Sequence, residues 1–94
     1  MTPAAPPRLD AASAFGVVRR AVGVVLDIAP AAIDLDTRFD SLEADSLALV
    51  GIADVVERAV SAEWSGELAI DDATLARLVT VGDLVELVVA DVTR

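Results

Sequence analysis

The apolar residues of this chain recur at the spacing of one helix face in three separate stretches, and that periodicity limits the available folds more than any single residue does. Phe15, Val18, Val22, Val25 and Leu26 make the first stretch, with Arg19, Arg20 and Asp27 largely on the opposite side. Leu49, Ile52, Val56 and Val60 make the second, in a helix expected from residue 47 to about residue 60, with Asp54, Glu57 and Arg58 as its charged residues. Leu84, Leu87, Val88 and Val92 make the last. The valine-rich runs 22–26 and 84–89 are short enough to suit strands, but their flanking caps favour helices.

Local signals divide these stretches. Asp10 or Ser13 can cap the first helix, and Pro30 pushes Ala29 out of helical geometry and helps end it. Residues 31–44 show no sustained period and hold Asp34, Asp36, Asp40 and Glu43, so they read as a long acidic loop pinned by Ile33, Phe39 and Leu42. A loop of that length is a natural place for function. Residues 61–70, with Gly66, read as a second loop or an extension of the helix before it. Asp71 or Asp72 can cap a short helix over 73–78, and Thr80 three residues before Asp83 resembles a capping box that opens the last helix. The expected fold is all-α: a small four-helix bundle of three longer helices and one short one, with a long first loop. Residues 1–9, with Pro3, Pro6 and Pro7, read as a flexible leader to a domain over 10–94.

Composition removes most chemistries. The 94 residues suffice for one domain, and Phe15, Phe39 and Trp64 are its only aromatics, so the core must be built from Val, Leu, Ile and Ala. No Cys and no His leaves no disulfide, thiolate nucleophile, imidazole base or common zinc site, and no catalytic residue is expected. Sixteen acids against seven arginines give a net charge of −9, which repels nucleic acid and anionic membranes and suits either solubility or a basic protein partner. Asp34-x-Asp36-x-Arg38-Phe39 hints at a calcium loop, yet Arg38 and Phe39 stand where such a loop needs an oxygen donor and a glycine, so no metal site is expected. The apolar run 21–26 behind Arg19-Arg20 is too short to span a membrane or to serve an export signal, and a cytoplasmic location fits it.

The segment Phe39-Asp40-Ser41-Leu42-Glu43-Ala44-Asp45-Ser46-Leu47 delivers a serine onto the first turn of the second helix after an anchored loop. It resembles the signature of acyl and peptidyl carrier proteins of the polyketide and peptide synthetase type, Phe-x-x-Leu-Gly-x-Asp-Ser-Leu. The match holds at Phe39, Leu42, Asp45, Ser46 and Leu47, and departs at Glu43, where glycine is usual. Leu78-Val79-Thr80-Val81-Gly82-Asp83-Leu84 resembles the Thr-Val-Gly-Asp-Leu start of that family's last helix. Asp-Ser-Leu alone is an ordinary helix cap; the two blocks together, at the right separation, carry the resemblance.

The resemblance implies an acyl-carrier bundle in which Ser46 takes a phosphopantetheine arm from coenzyme A through a phosphopantetheinyl transferase. The arm's thiol then carries cargo as a thioester. Asp45 is implied to help the transferase engage the helix start, with an N-cap role as its plainer alternative, and Leu47 to pack against partner or fold. Independently, a phosphodiester on Ser46 would sit at the positive end of the helix dipole beside free amides. The resemblance also implies docking along the second helix through Val50, Gly51, Asp54, Glu57 and Arg58, onto basic surfaces of acyltransferase, ketosynthase or ligase-type enzymes. Exposed charge there also suits a plain solvated face, and Val50 and Val56 suit either core or a chain-sheltering cleft.

Fatty-acid members often carry acids where Ala48, Gly51 and Arg58 stand, which points to specialised biosynthesis. The expectation is a free-standing, monomeric acyl carrier. An aminoacyl or peptidyl carrier shares the motif, and an acidic helical docking domain that never receives an arm is the alternative from another class. Trp64 lies in a stretch longer than in a minimal bacterial carrier and suits a plug beneath the loop.

Overall fold

The computed structural model describes residues 9–64 and 67–92. Four helices form in the order α1 Ala11–Leu26, α2 Ser46–Trp64, α3 Asp72–Leu75 and α4 Val81–Val92, with a single 3-10 turn at Pro30–Ala32. α1 is the central helix: it packs against α2 on one side and α4 on the other, while α3 packs on α2. This is the expected bundle of three longer helices and one short one. No helix among the described residues is long and apolar enough to cross a membrane.

The periodic residues account for the packing. Val18 and Val22 of α1, Ile52, Val56 and Val60 of α2, and Leu84 and Val88 of α4 are completely buried in one cluster, closed from the loop side by Ile33 and Phe39. Each such side chain contributes about 1.5–3 kcal/mol relative to exposure, and among the described residues no polar or charged side chain is buried to oppose it. Phe15, Leu42 and Trp64 pack partly buried around the rim.

Several boundaries differ from the sequence expectation. α1 stops at Leu26, because Asp27 turns left-handed (φ 56°) and the Asp27 and Ile28 amides both donate back to the Gly23 carbonyl; Pro30 instead opens the 3-10 turn. α2 continues through Trp64, where Glu63 pairs with Arg20 of α1 at 3.1 Å and Trp64 packs on the core, so its last turn is held by tertiary contacts. α3 begins at Asp72 and closes at Leu75, shorter than expected, with Asp71 as its cap. Leu9 does not belong to a leader: it is 3% exposed and joins the core just before the Asp10 cap, the position where an apolar residue staples a helix start. The remainder of the expected leader, residues 1–8, and Gly66 of the second loop lie outside the described residues.

Candidate functional site

The long acidic loop is tied to the start of α4. Phe39 donates its amide to the Val79 carbonyl at 2.9 Å, Val81 donates to Thr37 at 2.9 Å, and Gly82 donates to Leu35 at 2.8 Å, forming an isolated antiparallel bridge between Arg38 and Thr80. Glycine at 82 eases this approach, since a Cβ there would lie 3.0 Å from the Leu35 carbonyl oxygen, tighter than an ordinary contact. The two sequence blocks thus meet in space. Sequence reasoning missed this bridge, whose only local trace is the glycine at 82.

From Phe39 the chain coils tightly into α2. The Phe39 carbonyl accepts from the Leu42 and Ala44 amides, and Glu43 donates to the Asp40 carbonyl at 3.1 Å. Glu43 takes φ 57°, in the left-handed region that costs a side-chain-bearing residue about 1 kcal/mol, which explains physically why glycine suits this position. Arg38 grips Asp40 through two contacts of 3.0 Å, holding the Asp40 carboxyl below and the Arg38 guanidinium above their ordinary values. Both side chains are exposed, so the pair adds little stability.

Asp45 then caps α2: its carboxylate accepts the Ala48 amide at 2.8 Å, and its carbonyl accepts Leu49 at 2.9 Å. Ser46 is the first residue of the helix and is exposed; Leu47 beside it is 81% exposed and so packs against nothing in the fold. The Ser46 and Leu47 amides have no hydrogen-bond partner among the described residues and lie at the positive end of the helix. A cleft of about 420 Å³ opens next to them between α2 and α3, lined by Ser46, Leu47, Leu49, Val50, Leu75 and Asp72, among others.

The remaining candidate residues separate by face. Leu47, Val50, Asp54 and Arg58 are exposed and follow one another at helical spacing, with Arg58 and Asp54 paired to each other at 3.2 Å. Val50 lines the cleft, whereas Val56 is completely buried in the core. Gly51 is half-buried, with its Cβ position 3.5 Å from a Val25 methyl of α1. Glu57 departs most from an outward role: its carboxylate is partly buried and accepts the Ile70 amide at 2.9 Å, clasping the second loop to α2. Asp34, Asp36, Asp40 and Asp45 do not converge, and among the described residues no three acids are placed to hold a metal ion.

This serine-bearing helix start fits a phosphate-linked group: an exposed hydroxyl, unpartnered amides, no acid hydrogen-bonded to Ser46 and an apolar cleft for what hangs from it. Residues 16–88 match the family model of the phosphopantetheine attachment site, and the chain belongs to that family. It is therefore a carrier and not an enzyme, with covalently attached phosphopantetheine as its prosthetic group. That finding sets aside the unmodified docking domain. A comparison with curated proteins found no match.

Proposed function

We propose that Ser46 is the residue that receives the arm and that the protein is an acyl carrier for polyketide-like or related specialised biosynthesis, working as a monomer in the cytoplasm. The observation that carries this reading is the exposed Ser46 hydroxyl on the first turn of α2, opening onto a largely aliphatic cleft. Without a His or Cys in the chain, Ser46 has no base of its own and serves as the acceptor for a transferase that supplies the catalytic groups. When bound, the arm supplies a thiol on which cargo is held as a thioester. Leu49, Val50 and Leu75 give an acyl chain an apolar wall to lie against.

Leu47 and Val50 supply the apolar part of the partner surface, and the Asp54–Arg58 pair its polar edge. Transferase, acyltransferase, ketosynthase or ligase-type enzymes would meet the carrier there, drawn to it by its net charge of −9. Intact-mass measurement after incubation with coenzyme A and a broad-specificity phosphopantetheinyl transferase tests the assignment. Wild type is expected to gain one arm and Ser46→Ala none, with both folded. An arm on folded Ser46→Ala would move the attachment to another serine.

A further inference from the structure

The cleft beside Ser46 carries one group that attachment of an arm does not require. Asp72, Leu75 and Ala76 follow one another at i, i+3 and i+4 and form its wall on the α3 side, across from Leu49 and Val50 of α2. Leu75 is seated there at 6% exposure, while Asp72 is exposed. The Asp72 carboxylate makes no hydrogen bond or ion pair with any described residue. Helix capping does not account for it, because Asp71 already accepts the Thr74 amide at 2.7 Å. Among the described residues, Ser46 supplies the one other polar side chain of the lining, and no arginine joins it.

We propose, resting on attachment of the arm at Ser46, that Asp72 sorts cargo by charge: the cleft shelters an acyl chain that carries an amine and leaves a chain that ends in a carboxylate in solvent. Ser46 is itself part of the lining, so cargo hung from it has this apolar surface at hand. Burial of methylene groups against Leu49, Val50 and Leu75 stabilises any aliphatic chain alike and cannot tell one cargo from another. Charge can.

A charged chain end loses water on entering such a cleft, and an ion of opposite sign is needed to offset that cost. An ammonium finds the Asp72 carboxylate there, whereas a carboxylate meets a like charge and no described cation. Because Asp72 stays exposed, solvent screens it, and its effect on the docked population is about two- to fivefold rather than all or none. The wider field has the same sign, since a net charge of −9 also attracts an amine and repels a carboxylate, so residue 72 has to be varied by itself.

Three chains of similar length, hexanoyl, ω-aminohexanoyl and adipoyl, are transferred from their coenzyme A thioesters onto the isotope-labelled full chain, with intact mass and Ser46→Ala establishing where the arm sits. Docking is read from the displacement of the Leu49, Val50, Leu75 and Ala76 amide signals relative to protein carrying the bare arm. The hexanoyl and ω-aminohexanoyl chains are expected to displace them and the adipoyl chain to displace them least. Asp72→Asn should lower the docked fraction of the amine chain about two- to fivefold, raise that of the adipoyl chain by a similar factor and leave hexanoyl unchanged. Asp72→Lys should reverse the order of the two charged chains. Docked fractions that do not respond to residue 72, or cleft signals that no chain displaces, overturn the proposal while Ser46 keeps its arm. Failure to load Ser46, or loading of folded Ser46→Ala, overturns the attachment site itself and this inference with it.

Discussion

The starts of α2 and α4 are built from similar parts and used in opposite ways. Each begins with a capping residue followed by a short mixed stretch. At α4 the cap is reciprocal: Asp83 donates its amide to the Thr80 hydroxyl at 3.1 Å, and its carboxylate accepts the Thr80 and Val79 amides at 3.0 Å each. Val81, the first helical residue, is completely buried, and the neighbouring amides of Val81 and Gly82 are spent on the loop. At α2 the cap is one-sided, the first helical residue is an exposed serine, and the second is a leucine left in solvent. One helix start is closed and holds the loop; the other is held by that loop and left open to solvent. An apolar residue and free amides in water are tolerated at α2 because the loop, through Phe39 and the Arg38–Thr80 bridge, fixes the approach instead.

Substitutions can break this contrast. The largest effect on stability is expected from Leu84→Ala in the first turn of α4, about 2–5 kcal/mol by urea unfolding, against less than about 0.5 kcal/mol for Leu47→Ala in the first turn of α2. Equal costs would mean that Leu47 packs in the fold after all. Thr80→Ala should cost about 1 kcal/mol through the lost cap. Asp45→Asn, which keeps a capping oxygen, should leave stability within a few tenths of a kcal/mol yet slow arm transfer, separating Asp45's charge from its capping role. Unchanged transfer would reduce Asp45 to a cap.

Acid sharpens the same contrast. Backbone hydrogen bonds from Thr80 and Val79 hold the Asp83 carboxyl below its ordinary value, and hydrogen bonds at Ser13 and Thr74 do the same for Asp10 and Asp71. A carboxyl lowered in the folded state stabilises fully above the unfolded value of about 3.9 and loses that contribution as pH falls through the lowered folded value. Relief of repulsion among the sixteen acids acts the other way, so the measurement is a comparison: the fall in the urea midpoint below about pH 4 should be shallower in Asp83→Asn than in wild type. The smallest effect is expected from Glu43→Gly, a gain of about 0.5 kcal/mol, as relief of the left-handed strain is partly offset by the freer unfolded chain. A loss instead would show that the Glu43 side chain stabilises the turn.

Much of the fold was legible because its signals are short-range. The Asp10 cap, the Thr80–Asp83 box and the inward faces of α1, α2 and α4 each depend on residues three or four apart, and all appear where the periodicity places them. The family resemblance was legible in the same way, since its two blocks, residues 39–47 and 78–84, are each contiguous and stand at the right separation. Leu9 was misplaced because nothing local shows that an isolated leucine after three prolines will find a core. The end of α2 stayed open between loop and helix in the sequence because the Arg20–Glu63 pair and the seat of Trp64 belong to packing between helices.

The sequence by itself therefore determined the helices, their buried faces and the serine at the head of α2, since caps and periodicity act within a turn or two of the chain. Only the tertiary structure decided which side chains around that serine are available. It turned Leu47 and Val50 outward, buried Val56, and engaged Glu57 with the Ile70 amide. It also joined the two motif blocks through a backbone bridge. The reason is physical: exposure and hydrogen bonding between residues 13, 43 or 47 positions apart depend on how whole helices come together, and no local spacing encodes that distance.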